Sequence, residues 1–117
     1  MGKFSEWRDQ YVVWHATKAQ LPVGTGEVIC QKVRFSGRVQ KVGFRLELHT
    51  LASRLGLVGY VKNLANGDVE AILQGHASQL TFLMNHMHRL KRARLHKIEV
   101  YDLPLIADGY FEIASSS

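Results

Sequence analysis

The stretch best equipped for chemistry runs Ser36-Gly37-Arg38-Val39-Gln40-Lys41-Val42-Gly43-Phe44-Arg45. Between Lys32 and Arg45 there are five basic residues and no acidic one, so this segment favours an anion. Gly37 and Gly43 let the backbone turn tightly and approach a ligand closely. A helix starting after Gly43 would aim its first amide N–H groups and its positive dipole end at that anion. Arg45, in the first turn, can then reach back and hold phosphate oxygens through two parallel hydrogen bonds. The chain has no Walker-type loop and no G-x-G-x-x-G, so no nucleotide fingerprint is indicated.

Regular elements flank this turn. Val28 to Phe35 alternates loosely, with Ile29, Val33 and Phe35 on one face and Cys30, Lys32 and Arg34 on the other, which predicts a strand with one side buried. Phe44, Leu48, Leu51, Ala52 and Leu55 recur at helical spacing, with Arg45, Glu47, His49 and Arg54 off that face. Gly56 is a natural left-handed stop. Leu57 to Lys62 predicts a second strand, Asn66-Gly67 a hairpin, and Val69, Ala71 and Leu73 a third strand ending at Gly75. Leu80, Leu83, Met84, Met87 and Leu90 mark a second amphipathic helix, and Leu95 to Tyr101 a fourth strand. Tyr110 to Ile113 adds a short fifth. The order βαββαβ predicts an α+β, ferredoxin-like sandwich: an antiparallel sheet with two helices on one face.

Composition narrows the setting. With 46% apolar and aromatic residues against 21% charged, the 117 residues can bury one core and are not expected to be disordered. A single cysteine, Cys30, allows no intramolecular disulfide and suits a reducing compartment, so a cytoplasmic location is expected. No apolar run reaches the roughly 18 residues of a membrane span. Lys3, Glu6, Arg8 and Asp9 interrupt any signal-peptide stretch. Residues 1–27 carry zero net charge, so the whole +5 lies in residues 28–117. Phe4, Trp7, Tyr11 and Trp14 are spaced by three and four, which predicts a short helix whose aromatic stripe packs on the domain or on a neighbouring chain. Pro22, Gly24 and Gly26 then read as a linker. The expected division is an extension over 1–27 and a domain over 28–117.

The turn also matches a family. Gly37-Arg38-Val39-Gln40-Lys41-Val42-Gly43-Phe44-Arg45 resembles the acylphosphatase signature G-x-V-Q-G-V-x-F-R. Gly59-Tyr60-Val61-Lys62-Asn63 resembles that family's G-[WY]-V-x-N, and Asn66-Gly67-Asp68-Val69-Glu70-Ala71 its D/N-G-x-V-E-A hairpin. The resemblance covers roughly residues 28–113. It implies hydrolysis of the carboxyl–phosphate bond of a small acyl phosphate, with no cofactor and no metal. By motif position it implies that Arg45 binds the substrate phosphate with the loop Arg38, Val39, Gln40, Lys41, Val42 and Gly43, and that Asn63 orients the attacking water. One position departs from the pattern. Lys41 stands where the family has a glycine, and a positive φ there would cost on the order of 1–2 kcal/mol.

Other readings compete. His86 and His88 lie about 200° apart around a helix and cannot share an ion, and His49, His76 and His96 lack partners at ligand spacing, so no metal site is expected. RNA-recognition domains share the strand and helix order, but the first and third strands offer Cys30, Lys32 and Arg34, and Asp68, Glu70 and Gln74, with no aromatic platform. Nucleic acid is therefore not the favoured partner. A phosphate-binding domain with weak turnover is the alternative that Lys41 keeps open. The second basic cluster, Arg89-Lys91-Arg92-Arg94-Lys97, complements a helix C-terminus and has no further assignment.

Overall fold

Period-two apolar patterning builds a sheet, and the three-and-four patterning between its strands builds the helices that cover it. The computed structural model describes residues 3–116, with side chains from residue 9 onward. The elements are α1 (Lys3–Thr17), β1 (Val28–Arg38), α2 (Phe44–Arg54), β2 (Val58–Asn63), β3 (Val69–His76), α3 (Ala77–His88), β4 (Arg94–Leu103) and β5 (Phe111–Ile113). The sheet order is β4-β1-β3-β2-β5. This is the α+β, ferredoxin-like arrangement that the sequence predicts, with one helix and one strand pairing added.

The addition to the sheet corrects the expectation of an all-antiparallel sheet. The pairs β1·β3, β1·β4 and β2·β3 are antiparallel, but β5 runs parallel to β2, with Gly59 opposite Phe111 and Val61 opposite Ile113. The reason is topological. The chain leaves β4 at one edge and must cross the sheet to reach the other. On the way, Ile106 exchanges two hydrogen bonds with Gln74: its N–H donates to Oε1 at 2.7 Å and its carbonyl accepts from Nε2 at 3.0 Å. That crossing accounts for the burial of Cys30 and Gln74, whose residues pair across β1 and β3 on the face opposite the core.

Val33, Phe35, Val61, Val69, Ala71 and Leu73 line the helix-facing side of the sheet. Against them pack Phe44, Leu48 and Leu51 of α2 and Leu80, Leu83 and Met87 of α3. Phe35 and Phe44 meet edge-on with ring centroids 5.0 Å apart, an arrangement worth about 0.5–1.5 kcal/mol beyond burial. This contact pins the first residue of α2 to β1 and so fixes where the intervening loop must close.

The aromatic stripe of the N-terminal helix is not the face that packs on the domain. The side chains of Phe4 and Trp7 lie outside the described residues. Tyr11 and Trp14 are about half exposed, while Val12 and Ala16 are fully buried, and α1 packs on α2. The face that packs is therefore offset by one residue from the aromatic one. Small and β-branched side chains admit the close helix approach that two large rings would prevent.

Candidate active site

The loop between β1 and α2 is shaped by two glycines. At Gly37 (φ 127°) the β1·β4 register shifts, and a Cβ there would lie 2.1 Å from the Arg94 carbonyl oxygen. The bulge turns the strand end toward the sheet's helical side. Gly43 (φ 78°) caps α2, and its carbonyl accepts the Glu47 N–H at 3.0 Å. A Cβ on Gly43 would lie 2.6 Å from Val12 Cγ2, so α1 presses directly on the turn. No side chain caps α2, which leaves its first-turn amides oriented out of the helix end.

Lys41 adopts φ 64°, the left-handed conformation that its glycine counterpart in the family pattern would take freely. The lysine therefore preserves the turn and carries the strain itself. Gln40 has a structural task. Its Nε2 donates to the carbonyls of Leu64 and Asp68, both at 2.8 Å, and so ties the loop to the β2–β3 hairpin. The hairpin is further held by Leu64 N–H donating to the Asp68 carbonyl at 2.8 Å and by Arg34 Nε donating to Asp68 Oδ2 at 2.9 Å.

These ties bring Arg45, from the first turn of α2, and Asn63, the last residue of β2, to the wall of one cavity of about 380 Å³. Val39, Gln40, Lys41 and Gly43 also line it. Arg38 and Val42 do not. Arg38 ends β1 opposite Arg94, and Val42 turns its carbonyl to Arg92 Nε at 3.1 Å. Asn63 Oδ1 is buried with no hydrogen-bond partner. An amide oxygen in that state carries a desolvation cost of about 1–3 kcal/mol unless a ligand or water donates to it. The cavity thus combines an arginine, backbone amides and one unsatisfied acceptor. Such a set can hold an oxyanion and a water side by side.

Asp9 of α1 also lines this cavity, a residue outside every motif that sequence patterning picks out. Glu47 was likewise missed. Expected off the buried face of α2, it is fully buried instead. Its Oε2 is 2.5 Å from His15 Nδ1 and 2.6 Å from His86 Nε2, and its Oε1 accepts from Arg92 Nη2 at 2.8 Å. Burial raises its pKa, but the hydrogen bonds from His86, Arg92 and His15 outweigh that and hold it below the ordinary value. His15, Glu47 and His86 are the metal-competent group among the described residues, which the expectation of no metal site did not foresee. Ligands of a shared tetrahedral ion sit about 3.3 Å apart, given bonds near 2.0–2.1 Å. The observed spacings are those of hydrogen bonds, and Arg92 adds a cation to the same carboxylate.

On the sheet face opposite the helices, Tyr101, Lys32, Ile72 and Tyr60 form one row across β4, β1, β3 and β2. Tyr60 is committed, since its hydroxyl donates to Glu70 Oε2 at 2.7 Å. The Gln74–Ile106 crossing also passes over this face.

The acylphosphatase family model matches residues 31–113. An acylphosphatase of Pseudomonas paraeruginosa is 44% identical over 78 residues, covering 66% of this chain and 86% of that protein. The structure of an acylphosphatase from Coxiella burnetii superposes with a TM-score of 0.69 at 28% identity, over 74% of this chain and 93% of the other. The acylphosphatase of Bacillus subtilis superposes with a TM-score of 0.69 at 27% identity, over 75% and 99%. The chain belongs to the acylphosphatase family. Its β1–α2 loop and the strand end bearing Asn63 fall inside the matched region, and α1 falls outside it.

Proposed function

We propose that the chain hydrolyses the carboxyl–phosphate bond of small acyl phosphates, using the cavity between the β1–α2 loop and Asn63. One observation carries this reading: Asn63, on the same cavity wall as Arg45, holds a buried amide oxygen with no partner. Arg45 and the amides of the cavity-lining loop residues Val39, Gln40, Lys41 and Gly43 are the groups for the phosphoryl oxygens, and Arg38 and Val42, off the cavity wall, are not among them. Asn63 Oδ1 accepts a hydrogen bond from water and holds that water for attack on phosphorus.

In the step, the water oxygen bonds to phosphorus as the bond to the carboxyl oxygen breaks. The electron pair leaves on the carboxylate, and the water proton passes to solvent or to the phosphate product. The carboxylic acid so related has a pKa of about 4, so the leaving group needs no general acid. Positioning and charge stabilisation do most of the work in phosphoryl transfer, and this chain's donors supply both. In this reading no metal or cofactor takes part. Residues 28–117 form the catalytic unit and residues 1–27 an extension. No helix among the described residues is long and apolar enough to cross a membrane, and a lone buried Cys30 suits a reducing cytoplasm.

Phosphate release from benzoyl phosphate by the purified protein tests the proposal. Arg45→Ala should raise KM and lower kcat, together by about 10²–10³-fold in kcat/KM. Asn63→Ala should lower kcat by about 10²-fold with KM little changed, the effect of misplacing one reactant. Full activity in either variant would overturn the role given to that residue.

A further inference from the structure

The basic cluster after α3 has no part in the chemistry above. Arg89, Lys91 and Arg92 border a second cavity, of about 500 Å³, between α1 and the C-terminal end of α3. From the other side α1 supplies Tyr11 and His15, and Lys18 follows directly after it. No carboxylate lines this cavity among the described residues. Glu47 is adjacent, but it is taken up by His15, His86 and Arg92. Lys18, Arg89 and Lys91 form no ion pair with a described carboxylate. Three exposed cations therefore border one concave space that no described carboxylate lines, with Lys18 Nζ held 4.3 Å from the Trp14 ring centroid at its edge. Their summed field raises the local concentration of anions.

The walls are flat. The Tyr11 ring stacks on His15 (centroids 5.9 Å apart, 29° between planes), and Phe82 stacks on His86 (6.4 Å, 30°). The two imidazole centroids lie 5.4 Å apart with 51° between the planes, so the two ring pairs meet between α1 and α3. Glu47 locks this arrangement, since it fixes both imidazoles through one oxygen. The volume lies within the range of small-molecule sites, roughly 300–1,000 Å³.

We propose that this cleft binds a planar metabolite carrying phosphate groups, of mononucleotide size, at a site separate from the β1–α2 loop. Its phosphates meet Lys18, Arg89 and Lys91, and its ring lies along Tyr11 and Phe82. One wall of the site, Tyr11, His15 and Lys18, lies outside the matched family region, so the cleft depends on this chain's added N-terminal helix. It also touches the loop chemistry at one point, because Arg92 lines the cleft and holds the Val42 carbonyl.

The probe is ADP, with inorganic pyrophosphate as a charge-only control. Titration calorimetry on the Arg45→Ala protein removes the arginine of the first cavity. ADP should still bind there with one-to-one stoichiometry. The Lys18→Glu/Arg89→Glu pair in that background should weaken binding by about tenfold or more, as loss of charge-assisted contacts predicts. Both side chains are exposed, and the same pair in the wild-type background should leave benzoyl phosphate turnover unchanged. Tyr11→Ala should weaken ADP and leave pyrophosphate unaffected. Amide shifts of the wild-type protein with ADP provide a readout independent of any variant, and they should cluster at residues 11–18 and 82–92. Shifts confined to residues 38–45, binding abolished by Arg45→Ala alone, or binding untouched by the charge reversals would each overturn the proposal. Pyrophosphate binding as tightly as ADP would overturn the stacking contact, and oligonucleotide affinity that grows with length would replace the small ligand with a polymer.

Discussion

Glu47 and Arg92 lie 2.8 Å apart, and the same guanidinium donates from Nε to the Val42 carbonyl at 3.1 Å. A buried carboxylate on α2 therefore orients an arginine that braces the β1–α2 loop from the side away from its cavity. Two histidines from α1 and α3 converge on the other oxygen of that carboxylate. One side chain thus joins three helices and the loop.

Glu47→Gln should lower stability by roughly 3 kcal/mol, the low end of the range for breaking a buried ion pair. Arg92, His15 and His86 all keep some solvent access, which holds the cost near that end. Urea denaturation gives the number. Turnover should also fall, because the Val42 brace loses its anchor.

Acid should act through the same group. Burial opposes its charge, but its three donors hold the folded carboxyl below the 4.5 of an unperturbed one. The unfolded chain then takes up a proton at higher pH than the folded chain does. Glu47 contributes its stability fully above about pH 4.5 and loses it as pH falls through the lower folded value. Unfolding free energy should drop more steeply below pH 4.5 in the wild type than in Glu47→Gln.

Lys41→Gly should stabilise the protein by about 0.5–1 kcal/mol, since it relieves a left-handed lysine but adds backbone freedom to the unfolded chain. The turn is already formed at φ 64°, so kcat should stay within about twofold. KM should rise a few-fold, and more so at low salt, because a cation at the cavity is lost. Steady-state kinetics at two ionic strengths check this. A sharp rise in kcat would show instead that the lysine distorts the site.

Gln40→Ala removes two donors from buried carbonyls and should cost about 2 kcal/mol at roughly 1 kcal/mol per bond. The loop would then drift from the hairpin next to Asn63, and kcat should fall more than KM rises. Thermal unfolding and kinetics on one preparation separate the two effects.

Tyr60 sets an alkaline limit. Burial, its hydrogen bond to Glu70 and the charge of Glu70 push it up to about 12 from an ordinary 10.0. The unfolded chain ionises first, so the stability held by Tyr60 is complete below pH 10 and fades as pH climbs toward 12. Tyr60→Phe should flatten that decline in a pH series of denaturation curves.

Local spacing carried the loop, the helix start at Phe44 and the hairpin at Asn66-Gly67, because each depends on residues within a few positions, whereas Arg45 and Asn63 were joined only by what the family resemblance implies. Glu47 escaped detection for the opposite reason. Its helical position is off the α2 core face, and only the docking of α1 and α3, contributing residues 32 and 39 positions away, makes that side interior. The face of α1 that packs on the domain was hidden for a related reason: spacing shows which residues share a face, but the partner surface decides which face packs. The parallel β5 was hidden because strand direction follows from the route of the connection, and no residue between Leu103 and Phe111 marks a crossing until Gln74 is seen to meet it.

The crossing leaves the sheet with unequal rims. On one side runs β4, ten residues studded with Arg94, Lys97, Glu99 and Asp102, and on the other stands β5, three residues long. Neither rim offers a smooth template to a second molecule. Charge blunts the long one and brevity blunts the short one. Strand addition is thereby disfavoured at both rims, and at the short one the cause is the same detour that buries Cys30.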